Sequence, residues 1–248
     1  MTVSAALAAA VLGAARRGET PPLADLPPAL RPRDEAAAYA IQQAAMADRP
    51  IGGWKVGAAG ADVPCQCAPL PEAGIARSSA QLPQGRLRGV EAEVAFRLGR
   101  DLPARDVPYT AADVADALVT AHPAIEVLES AFAEPDAADK LSNLADSLMH
   151  GGFIYGPGQA AWQAIDFRAT TVTQAIDGAT VSHTGNPAGD MLRLVVWLAN
   201  EGSRWAGGLQ VGQFVTCGSW TGKTWAPVGA RVRVSFPGLG EAEVEFAA

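Results

Sequence analysis

Along residues 90–96 the chain reads Val-Glu-Ala-Glu-Val-Ala-Phe, with apolar and acidic positions in alternation. A period of two belongs to a half-buried strand, and it sends Glu91 and Glu93 out of the same face. A second strand is predicted at 124–128, Ala-Ile-Glu-Val-Leu, where Glu126 stands alone inside an apolar run. Burying that carboxylate unpaired would cost several kcal/mol.

Helical periodicity marks the first part of the chain. Residues 4–17 are alanine-rich and are closed by Gly18 and the Pro21-Pro22 pair, while 34–46 carries acids in its first turn. Residues 52–57 read as a short strand between glycines. The stretch 58–87, rich in Pro, Ala and Ser, is predicted to be mostly loop, long enough for a lid or binding loop. A helix is expected near 111–119, helical structure at 141–149 and a strand at 152–155. Beyond Pro157 the pattern is mainly β, at 160–167, 170–176 and 179–183, with Asp177-Gly178 as a hairpin turn. One helix, 188–200, interrupts it before strands at 213–217, 230–236 and 241–246. No internal repeat or low-complexity linker is visible. The expectation is an α+β protein: a helical N-terminal segment, 1–50, and a β-rich domain, 51–248, in one folding unit.

Composition narrows the function. At 248 residues with 49% hydrophobic and 18% charged side chains, the chain can bury a substantial core. A net charge of −7 argues against nucleic acid as a partner. Cys65, Cys67 and Cys217 make neither a disulfide framework nor a zinc set and read as reduced thiols. The apolar opening stretch is followed, not preceded, by its basic pair Arg16-Arg17 and is too short for a bilayer, so helix is expected instead of a signal peptide or membrane span. A cytoplasmic location follows as an expectation.

Candidate chemistry centres on the acids. Glu-x-Glu on a wet strand face is commonly solvated charge, but the apolar neighbours of Glu126 speak against that for the third carboxylate. With no Lys or Arg in either segment, the three need a shared positive charge, and a hard cation such as Mg²⁺ or Mn²⁺ supplies one. Lysine is rare here, and Lys55 lies in Gly53-Trp54-Lys55-Val56-Gly57, where flanking glycines permit close approach of a ligand. Gly218-Ser219-Trp220-Thr221-Gly222 is not a nucleophile elbow, because its Ser is second and not third.

These segments, taken in order, resemble the fumarylacetoacetate hydrolase superfamily, and within it the 2-keto-4-pentenoate hydratase and 4-oxalocrotonate decarboxylase branch. The resemblance runs through 38–42 (AYAIQ), 53–57, 90–96, 124–126, Leu144-Ala145-Asp146 ahead of Gly151-Gly152-Phe153, Gly185-Asn186-Pro187, 197–200 and 217–222. It implies a β-rich roll of the superfamily's C-terminal-domain type in which Glu91, Glu93 and Glu126 hold one Mg²⁺ or Mn²⁺, on two strands joined by a helical crossover. It implies a lyase of aromatic-compound catabolism acting on small 2-oxo or 2-hydroxydienoate acids, hydrating them through a metal-stabilised enolate. Decarboxylation or carbon–carbon hydrolysis on the same scaffold is the alternative, as is a weakened partner subunit that binds metal and keto acid. Lys55 would stand beside the metal as substrate cation or proton donor, its pKa pushed down and its loss felt in turnover more than in stability. Ser219 and Thr221 would donate to the substrate carboxylate. The branch's acidic, water-handling pair is replaced by Ser78 and Ser79, the Asn expected after Asp146 is Ser147, and His150 is a candidate for the missing acid/base role. A homo-oligomer, possibly with a paralogous subunit, is the expected assembly.

Overall fold

The computed structural model describes residues 3–248. Two helices come first, α1 (Val3–Arg16) and α2 (Glu35–Ala45). The Asp34 carboxylate caps α2 by accepting from the Ala37 amide at 2.8 Å. Strands β1 (Ile51–Gly57), β2 (Gln66–Pro71), β3 (Ile75–Arg77), β4 (Ala80–Leu82), β5 (Gly89–Leu98) and β6 (Leu102–Pro103) follow. Next come α3 (Ala111–Ala115), β7 (Leu118–Leu128), α4 (Lys140–Ala145), β8 (His150–Tyr155), β9 (Thr171–Ile176), β10 (Ala179–Thr184) and α5 (Met191–Trp197). The chain ends with β11 (Gly208–Leu209), β12 (Phe214–Thr216), β13 (Thr224–Trp225), β14 (Arg231–Phe236) and β15 (Gly240–Phe246).

The larger sheet runs β2-β1-β12-β5-β7-β8-β3, with β13 pairing β5, and the smaller runs β10-β9-β14-β15-β4. Their facing sides build the main core. Trp54 and Val56 of β1, Val90, Val94 and Phe96 of β5, Ile125 of β7 and Ile154 of β8 share a buried cluster with Val232, Val234 and Val244 of the smaller sheet. The alternate residues of the same strands leave the large sheet on its other side. A separate cluster joins Ala5, Ala8 and Leu12 of α1, Ala38 and Ile41 of α2, and Leu144 of α4, so the alanine-rich opening helix is held by small-residue packing. Among the described residues, no helix is long and apolar enough to cross a membrane.

The mixture of helices and sheets is the expected α+β class, and the turn at Asp177-Gly178 forms with both residues at positive φ, 49° and 88°, the geometry of a two-residue hairpin loop. Four expectations are corrected. The stretch 58–87 is not mostly loop, since it contains β2, β3 and β4. All three are edge strands, where short length and prolines such as Pro69 and Pro71 are tolerated because only one side is paired. Residues 160–167 form no strand; they turn through one 3-10 helix, Trp162–Ala164, that buries Trp162 edge-on against Phe96. The helix near 111–119 stops at Ala115 and β7 starts at Leu118, well before 124, because Thr120, His122 and Pro123 interrupt the apolar pattern without interrupting the pairing. Finally, the Glu93 and Glu126 strands are antiparallel neighbours, so their connection is not a crossover, which would make them parallel.

Candidate active site

Strand register assembles the site. In β5 and β7, Glu91 lies directly opposite Glu126 and Glu93 opposite Ala124. Thr216 of β12 lies opposite Ala95 of β5, and Lys55 of β1 lies beside Thr216. Residues paired in register share a face, and residues two apart on one strand do too. Lys55, Thr216, Glu93, Glu91 and Glu126 therefore all leave the large sheet on the side away from the main core. Ala95, Ala124, Phe153 and Phe214 form a small buried apolar cluster on that same face, which keeps water from one flank of the carboxylates.

One carboxylate oxygen from each of Glu91, Glu93 and Glu126 lies within 4.8 Å of the others. Glu126 is fully buried and Glu93 nearly so. Lys55 Nζ stands 2.7 Å from Glu126 Oε1 and donates to the Leu148 carbonyl at 2.9 Å. His150 Nδ1 lies 3.0 Å from the same Glu126 oxygen; as a carboxylate only accepts, the proton sits on that nitrogen. Thr216 Oγ1 donates to Glu93 Oε2. Glu126 Oε2, by contrast, is buried with no hydrogen-bond partner. An orphaned buried carboxylate oxygen beside two further carboxylates fits a hard divalent cation.

The electrostatics follow from burial and count. Burial, reinforced by Glu126 and opposed by Lys55, pushes Glu91 up to about 6. Burial, with Glu126 and Glu91 adding, pushes Glu93 well above the carboxylate range. Burial would also raise Glu126, but the Lys55 charge and the His150 hydrogen bond hold it below its ordinary value. Burial opposes charge on Lys55, yet the three carboxylates outweigh it and hold the ammonium's pKa up. In the metal-free protein this makes Lys55 the counter-ion of a buried anion, with a part in the fold. Burial lowers His150.

The Leu148 carbonyl reaches Lys55 from an unusual turn. Ser147, Leu148 and Met149 hold φ values of 55°, 52° and 64°, three consecutive non-glycine residues in the left-handed region, each costing about 1–2 kcal/mol. The turn is anchored at Asp146, which takes Arg16 at 2.5 Å, the Ser130 hydroxyl at 2.7 Å and the Ala131 amide at 2.9 Å. Strain maintained by such over-determined surroundings clusters at functional sites.

A cavity of about 430 Å³ opens over this face, lined by the three acids, Lys55, Leu148, Ser219, Gly218, the loop from Ala58 to Pro64, and Glu35 and Gln66 at its edge. The Ser219 hydroxyl is buried against Glu91, where it favours the ionised carboxylate, without a hydrogen bond of normal geometry. Thr221 does not line the cavity: its Oγ1 donates to Gln174 at 2.9 Å and accepts from the Ala92 amide at 3.3 Å. His150 does not line it either, lying behind Glu126 in a separate hollow with Arg16 and Asp146. The Ser78 hydroxyl accepts from the Glu243 amide of β15, the Ser79 backbone amide donates to the Glu243 carbonyl, and neither residue lines the cavity. Sequence reasoning missed Glu35, Thr216 and the left-handed turn. Glu35 carried no signal beyond a helix start, and Ser-Leu-Met carries none of the Gly or Asn that marks positive φ.

The geometry defines a class: an α+β fold of two main sheets with a three-carboxylate cluster, two of its acids buried, at the floor of a cavity. No family model matches the chain. It is 30% identical to 2-keto-4-pentenoate hydratase 2 of Dechloromonas aromatica (strain RCB) over 256 aligned residues, covering 97% of both chains. It is equally similar to 2-keto-4-pentenoate hydratase 1 of the same organism, over 97% of this chain and 96% of that one. Among solved structures, 4-oxalocrotonate decarboxylase from Pseudomonas putida G7, complexed with magnesium and adipate, superposes with a TM-score of 0.79 at 20% identity, covering 98% of this chain and 97% of that one. Fumarylpyruvate hydrolase from Pseudomonas aeruginosa, in complex with Mn²⁺ and pyruvate, gives 0.54 at 16% identity, covering 80% and 91%. The chain belongs to the fumarylacetoacetate hydrolase superfamily, in its hydratase and decarboxylase branch. It is an enzyme of the lyase type.

Proposed function

We propose that this protein is a divalent-metal-dependent lyase for small 2-oxo and 2-hydroxydienoate acids, of the 2-keto-4-pentenoate hydratase kind. The observation that carries the reading is the cluster itself: three converging carboxylates, two of them buried and one with an orphaned oxygen, sharing a cavity with a single lysine. Glu91, Glu93 and Glu126 would hold Mg²⁺ or Mn²⁺. Bound there, the cation supplies Lewis-acid charge where negative charge develops on a 2-oxo group.

The chain's own residues have distinct parts. Lys55 Nζ, fixed by Glu126 and the Leu148 carbonyl, offers a positive charge to the substrate carboxylate and a proton to the dienol carbon skeleton. Were Glu91, Glu93 and Glu126 to hold a cation, they would no longer hold the Lys55 pKa up, and the lysine would move toward the range of a working acid. Ser219 donates to the substrate carboxylate. Thr221 stays outside the proposal because its hydroxyl is already spent on Gln174 and Ala92. His150 is a positioning residue that fixes the Glu126 carboxylate from behind. The apolar wall at Ala58, Ala59, Val63 and Pro64 excludes water from the substrate's carbon chain. We also propose a cytoplasmic homo-oligomer.

Steady-state turnover of a 2-hydroxydienoate after EDTA treatment, and after adding back Mg²⁺, tests the activity, with oxaloacetate as the decarboxylation control. Activity should depend on the metal and favour hydration. Glu126→Gln should weaken Mg²⁺ or Mn²⁺ by at least the roughly 10²-fold that loss of a supporting partner can cost, read by calorimetry. Unchanged metal affinity in that variant would sink the assignment.

A further inference from the structure

The cavity has two chemically different ends. Its floor holds the three acids, Lys55 and Ser219, and its wall is apolar. At the rim stands Glu35, exposed on the first turn of α2, with its Oε1 held by Gln66 Nε2 at 2.8 Å. Among the described residues lining the cavity, Lys55 is the only lysine or arginine, and it is committed to Glu126. Two cations outside the lining are committed as well. Lys223, whose charge reaches Glu91, is paired with Asp136. Arg193 donates to the carbonyl oxygens of Gly60 and Ala188.

Resting on the reading of the site as one for 2-oxo acids, we propose that Glu35 determines specificity: it selects monoacids and rejects diacids. A ligand whose 2-oxo carboxylate end occupies the floor extends along the apolar wall toward the rim. An alkyl or vinyl end is accepted there. A second carboxylate meets the Glu35 carboxylate with no uncommitted lysine or arginine among the described lining residues to offset it, and like charges facing each other are a standard device for excluding a wrong ligand. This assigns the substrate class to short monocarboxylic 2-oxo or 2-hydroxydienoate acids and makes hydration, not decarboxylation of a diacid, the matching chemistry.

The test uses direct binding, so it does not depend on turnover. The Mg²⁺-loaded protein is titrated calorimetrically with 2-oxohexanoate and with 2-oxoadipate, which share a carbon count and differ only at the far end. The parent should prefer the monoacid. The ratio of the two affinities should fall roughly fivefold in Glu35→Gln, the scale of one exposed charge pair, and further in Glu35→Arg. Raising the salt should shrink the parent's preference, because an exposed pair is screened. A ratio unchanged in both variants overturns the assignment of Glu35 while leaving the 2-oxo acid site standing. If Mg²⁺ binds but neither acid does, the reading of the site falls and the role of Glu35 falls with it.

Discussion

Replacing Lys55 by Met keeps most of the stem and removes the one positive charge beside a fully buried Glu126. Removing one partner of a buried pair strands the other and costs about 3–5 kcal/mol, a drop of roughly 6–20 °C in melting temperature for a chain of this size. That cost should be conditional. A divalent cation at Glu91, Glu93 and Glu126 supplies the missing charge, so saturating Mg²⁺ should recover much of the loss, and linkage requires Mg²⁺ to bind the variant more tightly, by about tenfold or more. Acid should also repair it. Without Lys55, the burial that already opposes charge on Glu126 acts unopposed by that ammonium, and its folded pKa rises. The deficit is then absent below the ordinary carboxylate value and grows as pH rises through the folded one. The assay is thermal unfolding of parent and variant in EDTA and in Mg²⁺ at several pH values, with calorimetric Mg²⁺ titrations alongside. Turnover of a 2-hydroxydienoate should fall by roughly 10²-fold or more even with metal present, the scale of a lost general acid. A melting loss that is equal with and without Mg²⁺ and flat with pH would show that Lys55 acts through stem packing, and the counter-ion argument would fail.

Three further outcomes are expected. Glu91 sits at about 6 in the metal-free fold against 4.5 unfolded, and Glu93 is raised further; the native state holds the extra protons, so metal-free stability is fullest below 4.5 and falls as pH rises through about 6, by about 2 kcal/mol for Glu91 alone. Urea unfolding in EDTA across that window measures it, and stability that instead climbs with pH would refute the shifts. Ser147→Gly should hold or raise stability, by up to about 1 kcal/mol once lost strain is set against greater unfolded-state freedom, whereas Ser147→Val should lower it; equal melting of the two would remove the case for strain. Light scattering at micromolar concentration should report a homo-oligomer covering exposed apolar side chains such as Trp225 and Val211, and a monomer mass would end that proposal.

Sequence alone determined what depends on local periodicity. The period of two put Glu91 and Glu93 on one face, and the apolar neighbours of Glu126 marked its burial, because both follow from side-chain alternation along a single strand. Helices α1 and α2 and the hairpin at Asp177-Gly178 were likewise legible from caps, breakers and turn residues. The partners across strands were not. That Glu91 faces Glu126, and that the required positive charge comes from Lys55 two strands from Glu93, depends on register and strand order, which residues far apart in the chain fix together through the buried core. The edge strands β2, β3 and β4 escaped because a strand paired on one side can be short and can carry proline. The left-handed turn at Ser147–Met149 ran against local preference and is held by Asp146, Arg16 and Ser130, and Glu35 reached the cavity only through the packing of α2. Tertiary contacts decided these because each one overrides, or lies beyond, what neighbouring residues in the chain can specify.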